Sequence, residues 1–302
     1  MILLIKYYAF RLSVLCLVVG MAGTMVWAPS HADSLSKHGG RRPVKLVASA
    51  LTPLSAESPG KRNQMALDPL PSTGEVMTLA PAGKHKDTQT AWHGSALVTI
   101  VRGDPERREV ALTFDDGPHP AFTPRLLELL QQLNVRATFF LVGKKVDKAP
   151  ALVARILAEG HDVANHTYDH VNLGHASLEL AENEIRLGSD AIRRACGSEP
   201  LYFRPPGGHH EPGVLSAAEK MNMTTVLWTD DPADYANPGS EVIESRLLKH
   251  IRNGAVILLH DGVEQTFEIL PDLVARLRHE GYRFVTMSEM AQHLETTHSA
   301  HR

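Results

Sequence analysis

Cysteine is scarce in this sequence, with two among 302 residues. Cys16 lies in an apolar run near the amino terminus, so Cys196 is the one cysteine of the chain that follows. A single cysteine cannot form an internal disulfide bond, which excludes a scaffold held together by such bonds. The folded part must therefore be stabilised by a hydrophobic core, and a chain of this length can bury one.

An excess of basic residues is also missing. The formal net charge is −3, and residues 96–302 carry 21 basic and 29 acidic side chains. An acidic folded part argues against nucleic acid as the main partner. Residues 33–95 are slightly basic, with eight basic and five acidic side chains. This segment could contact an acidic wall polymer or a membrane surface, and a solvated spacer is the alternative.

The amino terminus has the pattern of an export signal. Lys6 and Arg11 precede an uncharged run over residues 12–28, and small residues stand where a cleavage site after Ala32 requires them. This pattern predicts a signal peptide over residues 1–32, and hence a periplasmic, secreted or wall-associated protein. An uncleaved membrane anchor is the alternative, although the run is shorter than the ~20 apolar residues that a span requires.

Residues 33–95 and 96–302 differ in character. The first segment is rich in Pro, Gly, Ser, Thr and Lys and shows no sustained helical or strand period. Such a segment cannot bury enough apolar surface to become ordered, so a flexible linker is predicted. From about Ala96 short β-rich runs alternate with amphipathic stretches, and no repeat is evident. Residues 96–302 are predicted to form one folded domain.

The fold class predicted for this domain is α/β. Strands and helical patterns alternate, which implies parallel β–α units. Either an open doubly wound sheet or a β/α barrel fits, and periodicity does not choose between them. The predicted helix N-caps are Thr123, Ser177, Ser240, Thr266 and Ser288. The seven predicted strands are Glu109–Phe114, Ala137–Val142, His161–Asn165, Leu201–Arg204, Thr224–Thr229, Ala255–Leu259 and Arg283–Thr286.

Polar residues follow five of these strands. Because parallel strands bring their carboxyl ends to one edge, Asp, His and Arg side chains there can converge on one pocket. The five segments are Thr113–Pro118, Asn165–His170, Phe203–Gly208, Trp228–Tyr235 and Leu258–Asp261.

A metal site is predicted from two of these segments. His166 and His170 are four residues apart, a spacing that places both imidazoles on one side of a helical turn and suits a shared divalent metal. Asp115 and Asp116 are neighbours whose side chains diverge, so Asp116 could bind the metal while Asp115 addresses the water. Three protein ligands leave a position open for water and substrate.

The remaining polar residues suit acid–base chemistry. Asp115 can act as the general base, and Arg204 can hold it through a charge-assisted pair. His260 suits the protonation of a leaving amine. Asp234 could orient His260 and raise its basicity, and Asp231 is the second candidate for that role.

Taken together, these segments resemble the NodB-homology polysaccharide deacetylases, carbohydrate esterase family 4. The matching stretches occur in the family's order and span about residues 109–290. The resemblance implies a distorted (β/α) barrel of about seven parallel strands, and hydrolysis of N-acetyl groups in GlcNAc-containing polymers. The matching stretches are Thr113–Pro118, His166–His170, Arg204–Gly208, Trp228–Tyr235 and Leu258–His260.

The resemblance also implies roles for individual residues. Asp115 would be the base and His260 the acid, held by Arg204 and Asp234, and the backbone N–H of Gly207 would help to stabilise the oxyanion. The metal ligands would be Asp116, His166 and His170, and the substrate contacts Pro206, Gly207, Tyr235 and Leu258.

Two positions depart from the commoner family pattern. Gly207 stands where the family usually has Tyr or Phe, so a backbone donor survives but an aromatic wall does not. Tyr235 stands where Trp is usual, which affects sugar contacts more than catalysis. His209 and His210 follow closely and either belong to the altered rim of the site or are ordinary exposed loop residues.

The sequence therefore predicts an exported de-N-acetylase with one divalent metal. Zinc is expected, and cobalt, nickel or manganese would also suit two histidines and a carboxylate. Peptidoglycan is the first substrate to consider, with chitin oligomers or an exopolysaccharide as alternatives. A metal-dependent O-esterase or amidase acting on another acyl group is a second possibility. A non-catalytic wall-binding protein is a third, which would have no need of acid, base and three ligands.

Overall fold

The computed structural model describes residues 90–93 and 96–300. The predicted signal peptide and almost all of the predicted linker lie outside these residues, so both stay predictions. Among the described residues, none of the helices combines the length and hydropathy that crossing a membrane requires.

One sheet of nine strands forms the centre of the described chain. Its strands are β1 (Ala91–His93), β2 (Ala96–Ile100), β3 (Glu109–Gly117), β4 (Thr138–Leu141), β5 (Asp162–Asn165), β6 (Tyr202–Phe203), β7 (Thr224–Val226), β8 (Ala255–His260) and β9 (Arg283–Phe284).

The helices lie mostly between consecutive strands, as parallel pairing requires. They are α1 (Phe122–Gln132), α2 (Gly143–Lys148), α3 (Pro150–Ala158), α4 (Leu178–Cys196), α5 (Pro212–Lys220), α6 (Ser240–His250), α7 (Glu264–His279) and α8 (Met287–Ala300). Two short 3₁₀ turns cover Pro206–Gly208 and Asp234–Ala236.

The sheet curls into a distorted barrel. Its strand order is β1-β2-β7-β6-β5-β4-β3-β8, with β9 beside β3, and every pairing except that of β1 with β2 is parallel. Beyond β7 the chain reaches β8, where the N–H of Thr229 donates to the carbonyl of Val256 at 3.0 Å and the N–H of Leu258 donates to the carbonyl of Asp230 at 2.9 Å. The predicted barrel is therefore confirmed, and an open doubly wound sheet does not form.

All seven predicted strands are present, and two further strands precede them. β1 lies in the last residues of the segment predicted as a linker, and β2 begins at Ala96. Neither is predicted from the sequence, because a three-residue strand beside a five-residue strand carries too little periodicity to be recognised.

Strand alternation aims the polar residues into the barrel. On β8, Ile257 and Leu259 pack in one hydrophobic cluster, whereas Leu258 packs in another on the opposite face. His260 follows Leu258 by two residues and so faces the same interior side. The parallel register places Asp115 of β3 opposite His260. Two neighbouring strands thus deliver functional side chains to the same end of the interior.

The predicted helix caps are mostly wrong. Ser177 does cap α4, because its hydroxyl accepts a hydrogen bond from the N–H of Leu180 at 3.2 Å. The hydroxyls of Thr123 and Thr266 instead donate to the carboxylates of Asp261 and Asp234. Those partners are distant in sequence, so local patterns do not reveal them. Four predicted caps lie inside helices: Thr123, Ser240, Thr266 and Ser288.

Candidate active site

The predicted base lies in a buried ion pair. Asp115 is 3% exposed and Arg204 is completely buried. Nη1 of Arg204 donates to Oδ1 of Asp115 at 2.7 Å, and Oδ2 of Asp115 lies 3.6 Å from Nε2 of His166. One carboxylate oxygen is therefore fixed by the guanidinium, and the other faces the predicted metal ligands.

Arg204 is held by more than its carboxylate partner. Nη1 also donates to the hydroxyl of Thr113 at 2.8 Å, and Nε and Nη2 donate to the carbonyls of Val226 and Leu227, each at 3.2 Å. The guanidinium carbon lies 4.0 Å from the ring centroid of Phe140. Burial lowers the pKa of Arg204, and the Asp115 carboxylate opposes that shift. Such a network fixes the direction of Asp115.

The three predicted metal ligands lie together. Potential ligand atoms of Asp116, His166 and His170 are within 4.8 Å of one another. Oδ1 of Asp116 is 3.0 Å from Nε2 of His170 and 3.6 Å from Nε2 of His166. His166 is buried, whereas the His170 side chain is 45% exposed. The cluster is thus open to the surface on the His170 side.

This donor set fits a divalent cation. Oδ1 of Asp116 is buried and accepts no well-directed hydrogen bond from the described residues. Nδ1 of His166 lies 2.7 Å from the carbonyl of Arg204; a proton on Nδ1 leaves the lone pair of Nε2 directed at the cluster, as metal-bound histidines require. Burial lowers the pKa of His166, which favours the neutral ligand form. Two imidazoles and one carboxylate leave a coordination position open.

The two histidines are not on a helical turn, so that part of the prediction is wrong. Residues 166–170 form a loop in which Thr167 and His170 have positive φ angles of 66° and 59°. A β-branched residue in this region is strained, at a cost of about 1–3 kcal/mol. Hydrogen bonds from side chains replace those of a helix: Thr167 N–H donates to Asn165 at 2.7 Å, and His170 N–H donates to the Thr167 hydroxyl at 3.0 Å.

The predicted acid and its partner are in contact. Nδ1 of His260 lies 2.7 Å from Oδ1 of Asp234, and Asp234 is completely buried. Oδ2 of Asp234 accepts hydrogen bonds from the N–H of His260 at 2.8 Å and from the hydroxyl of Thr266 at 2.7 Å. Asp231, the second candidate, instead accepts a bond from the N–H of Ala233 at 2.7 Å. Asp234 is therefore the residue that orients His260.

The electrostatic environment keeps His260 protonated at neutral pH. Burial opposes protonation, but the Asp234 carboxylate, helped by Asp115 and Asp116, raises the pKa of His260 to about 9. A group with this pKa can donate a proton at neutral pH.

The predicted substrate contacts lie next to Arg204 or His260, in sequence or in space. Leu258 is buried two residues before His260, and Tyr235 is 47% exposed. The Tyr235 ring contacts the His260 ring edge-on, with 5.2 Å between their centroids. Pro206 and Gly207 lie in the 3₁₀ turn that follows Arg204. Gly207 has φ of 67°, a conformation that side chains rarely adopt, so restoring an aromatic residue there would strain the turn.

His209 and His210 pack on the same turn. A Cβ atom at Gly207 would lie 3.3 Å from Cδ2 of His209, so the imidazole covers this glycine. Nδ1 of His210 lies 2.7 Å from the carbonyl of Gly208. Both residues therefore contact the turn that carries Gly207.

Three contributors to the site are missing from the sequence-based prediction. Nζ of Lys145 donates to the carbonyl of Asp116 at 2.7 Å, and Asp116 has a positive φ of 69°. Thr266 supports Asp234, as described above. Glu184 is buried on α4 and accepts bonds from the loop that carries the histidines. Glu184 had a recognisable signal, because it is an acid on the apolar face of an amphipathic helix.

Comparison with known proteins identifies relatives over this region. A family model described as polysaccharide deacetylase matches residues 102–226. A peptidoglycan-N-acetylglucosamine deacetylase from Bacillus cereus is 42% identical over 189 residues, covering 61% of this chain and 88% of the relative. A chitooligosaccharide deacetylase from a Bradyrhizobium species is 38% identical over 198 residues, covering 61% and 90%.

Solved structures agree with this result. A peptidoglycan N-acetylglucosamine deacetylase in complex with 4-naphthalen-1-yl-N-oxidanyl-benzamide is 36% identical, with a TM-score of 0.62, and the match covers 64% of this chain and 92% of that chain. A CE4 family pseudoenzyme from Bacillus anthracis is 29% identical, also with a TM-score of 0.62, over 68% and 70%. The same fold thus occurs with and without activity, so the side chains of the site must carry any argument about catalysis.

Proposed function

This chain belongs to the polysaccharide deacetylase family, and we propose that it hydrolyses N-acetyl groups of a GlcNAc-containing polysaccharide with one divalent metal and the acid–base pair Asp115 and His260. The family predicted from the sequence is thereby confirmed. The assignment of roles rests on one observation: the two adjacent carboxylates, of Asp115 and Asp116, contact different partners. Asp115 is bound by Arg204 at 2.7 Å, whereas Asp116 faces the two histidines.

Asp115 is proposed to take the proton from the attacking water. Arg204 occupies Oδ1, so Oδ2 is the oxygen that faces the ligand cluster and can accept that proton. The buried guanidinium holds the carboxylate in one orientation. The backbone N–H of Gly207, in the turn after Arg204, is proposed to donate to the oxyanion that forms on the acetyl carbonyl.

Asp116, His166 and His170 would hold the metal. When bound, a divalent cation supplies Lewis acidity that polarises the acetyl carbonyl and acidifies water. Zinc is proposed because two imidazoles and one carboxylate with an open position suit it, and cobalt, nickel or manganese would fit the same ligands.

His260 is proposed to protonate the leaving amine nitrogen from Nε2. Its Nδ1 is fixed by Asp234, which holds the ring in place and keeps it charged. Tyr235 and Leu258 are proposed to border the acetyl methyl, and Pro206 to shape the adjoining wall. The intact acid, base and ligands support an enzyme over a non-catalytic wall-binding protein.

Peptidoglycan is the proposed substrate, with chitin oligomers and exopolysaccharide as alternatives, since relatives named for both kinds of glycan match at comparable coverage. A substrate in the cell wall would require export, which the predicted signal peptide over residues 1–32 would provide. Residues 33–95 are proposed to be a spacer that can contact the wall or membrane surface, and residues 96–302 the catalytic domain.

The test is an acetate-release assay on peptidoglycan, chitin oligomers and an O-acetylated glycan, with and without a chelator. We expect chelator-sensitive acetate release from N-acetylated glycans, restored by added Zn²⁺. Release from the O-acetylated glycan alone would favour the esterase alternative. Absence of release from every substrate, by protein that retains its metal, would contradict the proposed activity.

A further inference from the structure

We propose that Glu184 is a positioning residue for the metal site, acting through the loop that joins His166 to His170. This inference rests on the proposed function, because it concerns how the ligands of that site are held. Glu184 lies in the middle of α4, away from the strand ends that supply the ligands themselves. It is 5% exposed, so its carboxylate is withdrawn from solvent.

The carboxylate of Glu184 bonds the backbone between the two histidines. Oε2 accepts hydrogen bonds from the N–H of Tyr168 at 3.1 Å and from the N–H of Asp169 at 2.9 Å. Buried polar groups need such partners, and a buried carboxylate needs them most. A single side chain from the following helix therefore satisfies two consecutive amides of the loop between His166 and His170.

The rest of the loop is held in a similar way. Thr167 N–H donates to Asn165 and His170 N–H donates to the Thr167 hydroxyl. Each N–H from Thr167 to His170 is thus bound by a side chain, and Glu184 supplies half of these bonds. Because Thr167 and His170 both have positive φ, the loop depends on these bonds to keep its shape.

The helix face around Glu184 is shaped to approach this loop. The side chain of Asn165 donates to the carbonyl of Ile185 at 2.7 Å and to the hydroxyl of Ser189 at 2.8 Å. Gly188 lies one turn after Glu184, and a Cβ atom there would be 2.6 Å from Oδ1 of Asn165. The helix therefore packs directly on the loop between His166 and His170, and Glu184 is the charged group of that contact.

These contacts predict how the loss of Glu184 would change the loop and the affinity for the metal. Without its two bonds, the amides of Tyr168 and Asp169 lose their acceptor, and His170 loses its fixed position relative to His166. Partners that hold the ligands of a metal typically affect affinity by about 10–100-fold. A variant of Glu184 that keeps an acceptor oxygen should therefore bind the metal more tightly than one that has none.

The test compares four variants of the full chain. Glu184→Leu removes both bonds, Glu184→Asp keeps the charge but shortens the reach, and Glu184→Gln keeps an oxygen acceptor. Glu182→Gln is the matched control, since Glu182 is on the same helix and pairs with Lys220 at the surface. Amide hydrogen exchange of Tyr168 and Asp169 is measured on metal-free protein, and Zn²⁺ affinity by competition with a chromophoric chelator.

We expect Glu184→Leu to accelerate exchange at both amides and to weaken Zn²⁺ binding about 10–100-fold. Glu184→Gln should remain close to the parent protein, and Glu182→Gln should not differ from it. Glu184→Asp should show the same losses as Glu184→Leu, in case the leucine variant does not fold. A folded Leu or Asp variant with parental exchange and parental Zn²⁺ affinity would overturn the proposal.

Failure of the proposed activity would be separate from failure of this inference. A parent protein that binds Zn²⁺ in a Glu184-dependent manner but releases no acetate would contradict only the activity. Chelator-sensitive acetate release together with Glu184-independent Zn²⁺ binding would contradict only the role of Glu184.

Discussion

The site has a buried floor and an exposed rim, which differ in how firmly they are held. The floor comprises Asp115, His166, Arg204 and Asp234, each at most 3% exposed. The rim comprises His170, Gly207 and Tyr235, and the Tyr235 side chain is about half exposed. Groups that move protons lie in or directly on the floor, where low solvent access strengthens their interactions. Tyr235, which would meet the polysaccharide, lies on the rim, where a side chain that neither binds the metal nor moves a proton can vary without disturbing the chemistry.

The largest loss of stability and activity is expected when the buried charge of Arg204 is removed from the floor. Arg204→Met leaves Asp115 as a buried carboxylate without a counterion, which typically costs 3–5 kcal/mol, so we expect the unfolding free energy to fall by roughly that amount. Acetate release should be lost as well, because Asp115 is no longer held. Denaturant unfolding and an acetate assay measure the two effects.

Arg125→Met is the matched control for this loss. Arg125 pairs with Glu264, and both side chains are about half exposed, so its removal should lower the unfolding free energy far less than the removal of Arg204. Equal losses of unfolding free energy in the two arginine variants would mean that the buried Arg204–Asp115 pair contributes no more to stability than an exposed pair.

A smaller effect is expected where floor and rim meet, at His260. Asp234 raises the pKa of His260 to about 9; a bound cation would bring it below that value by repulsion. Because His260 must be protonated to donate, activity should persist at neutral pH. It should fall as the pH rises through the pKa that His260 has in the metal-bound protein. Asp234→Asn should move the alkaline limb of kcat about 1–3 units lower. A limb that does not move would exclude His260 as the acid that Asp234 controls.

The same contact predicts how stability varies with pH. The folded-state pKa of His260 is raised, so its stabilisation is complete below the ordinary value of 6.5 and is lost as pH rises towards about 9. In Asp234→Asn this alkaline loss should largely disappear, and thermal unfolding across that pH range is the measurement.

The smallest effect is expected on the rim. Tyr235→Ala removes the half-exposed ring that is proposed to contact the substrate, and a lost aromatic contact is worth about 0.5–1.5 kcal/mol. We therefore expect KM to rise by about 2–10-fold with little change in kcat, and Tyr235→Phe to resemble the parent. A collapse of kcat in Tyr235→Ala would place this residue with the floor instead.

The floor could be predicted from the sequence largely because strand ends fix it. Asp115, Arg204 and His260 each follow or end a buried parallel strand, so topology alone brings them together. The rim depends on loop conformation, which short-range patterns do not specify. The spacing of His166 and His170 indicates a helical turn. A loop forms instead, because the side chains of Asn165 and Glu184 accept hydrogen bonds from its backbone N–H groups.

Other features that the sequence does not reveal also depend on contacts that short-range patterns do not specify. Thr266 has the sequence pattern of a helix cap, yet Asp234 is a charged and therefore stronger acceptor for its hydroxyl. The place of Glu184 on the apolar face of α4 indicates a buried acid, but its partners are backbone amides, so the sequence does not reveal which groups it binds. The first strand, Ala91–His93, is too short to be distinguished from the linker before it.

The most direct test of the central claim compares the two adjacent carboxylates. Metal content and acetate release are measured on Asp115→Asn and Asp116→Asn, purified in parallel. We expect Asp115→Asn to retain about one divalent ion per chain and to release almost no acetate, and Asp116→Asn to lose both metal and activity. Loss of the metal from Asp115→Asn, or retained turnover in that variant, would contradict the separation of proton transfer from metal binding.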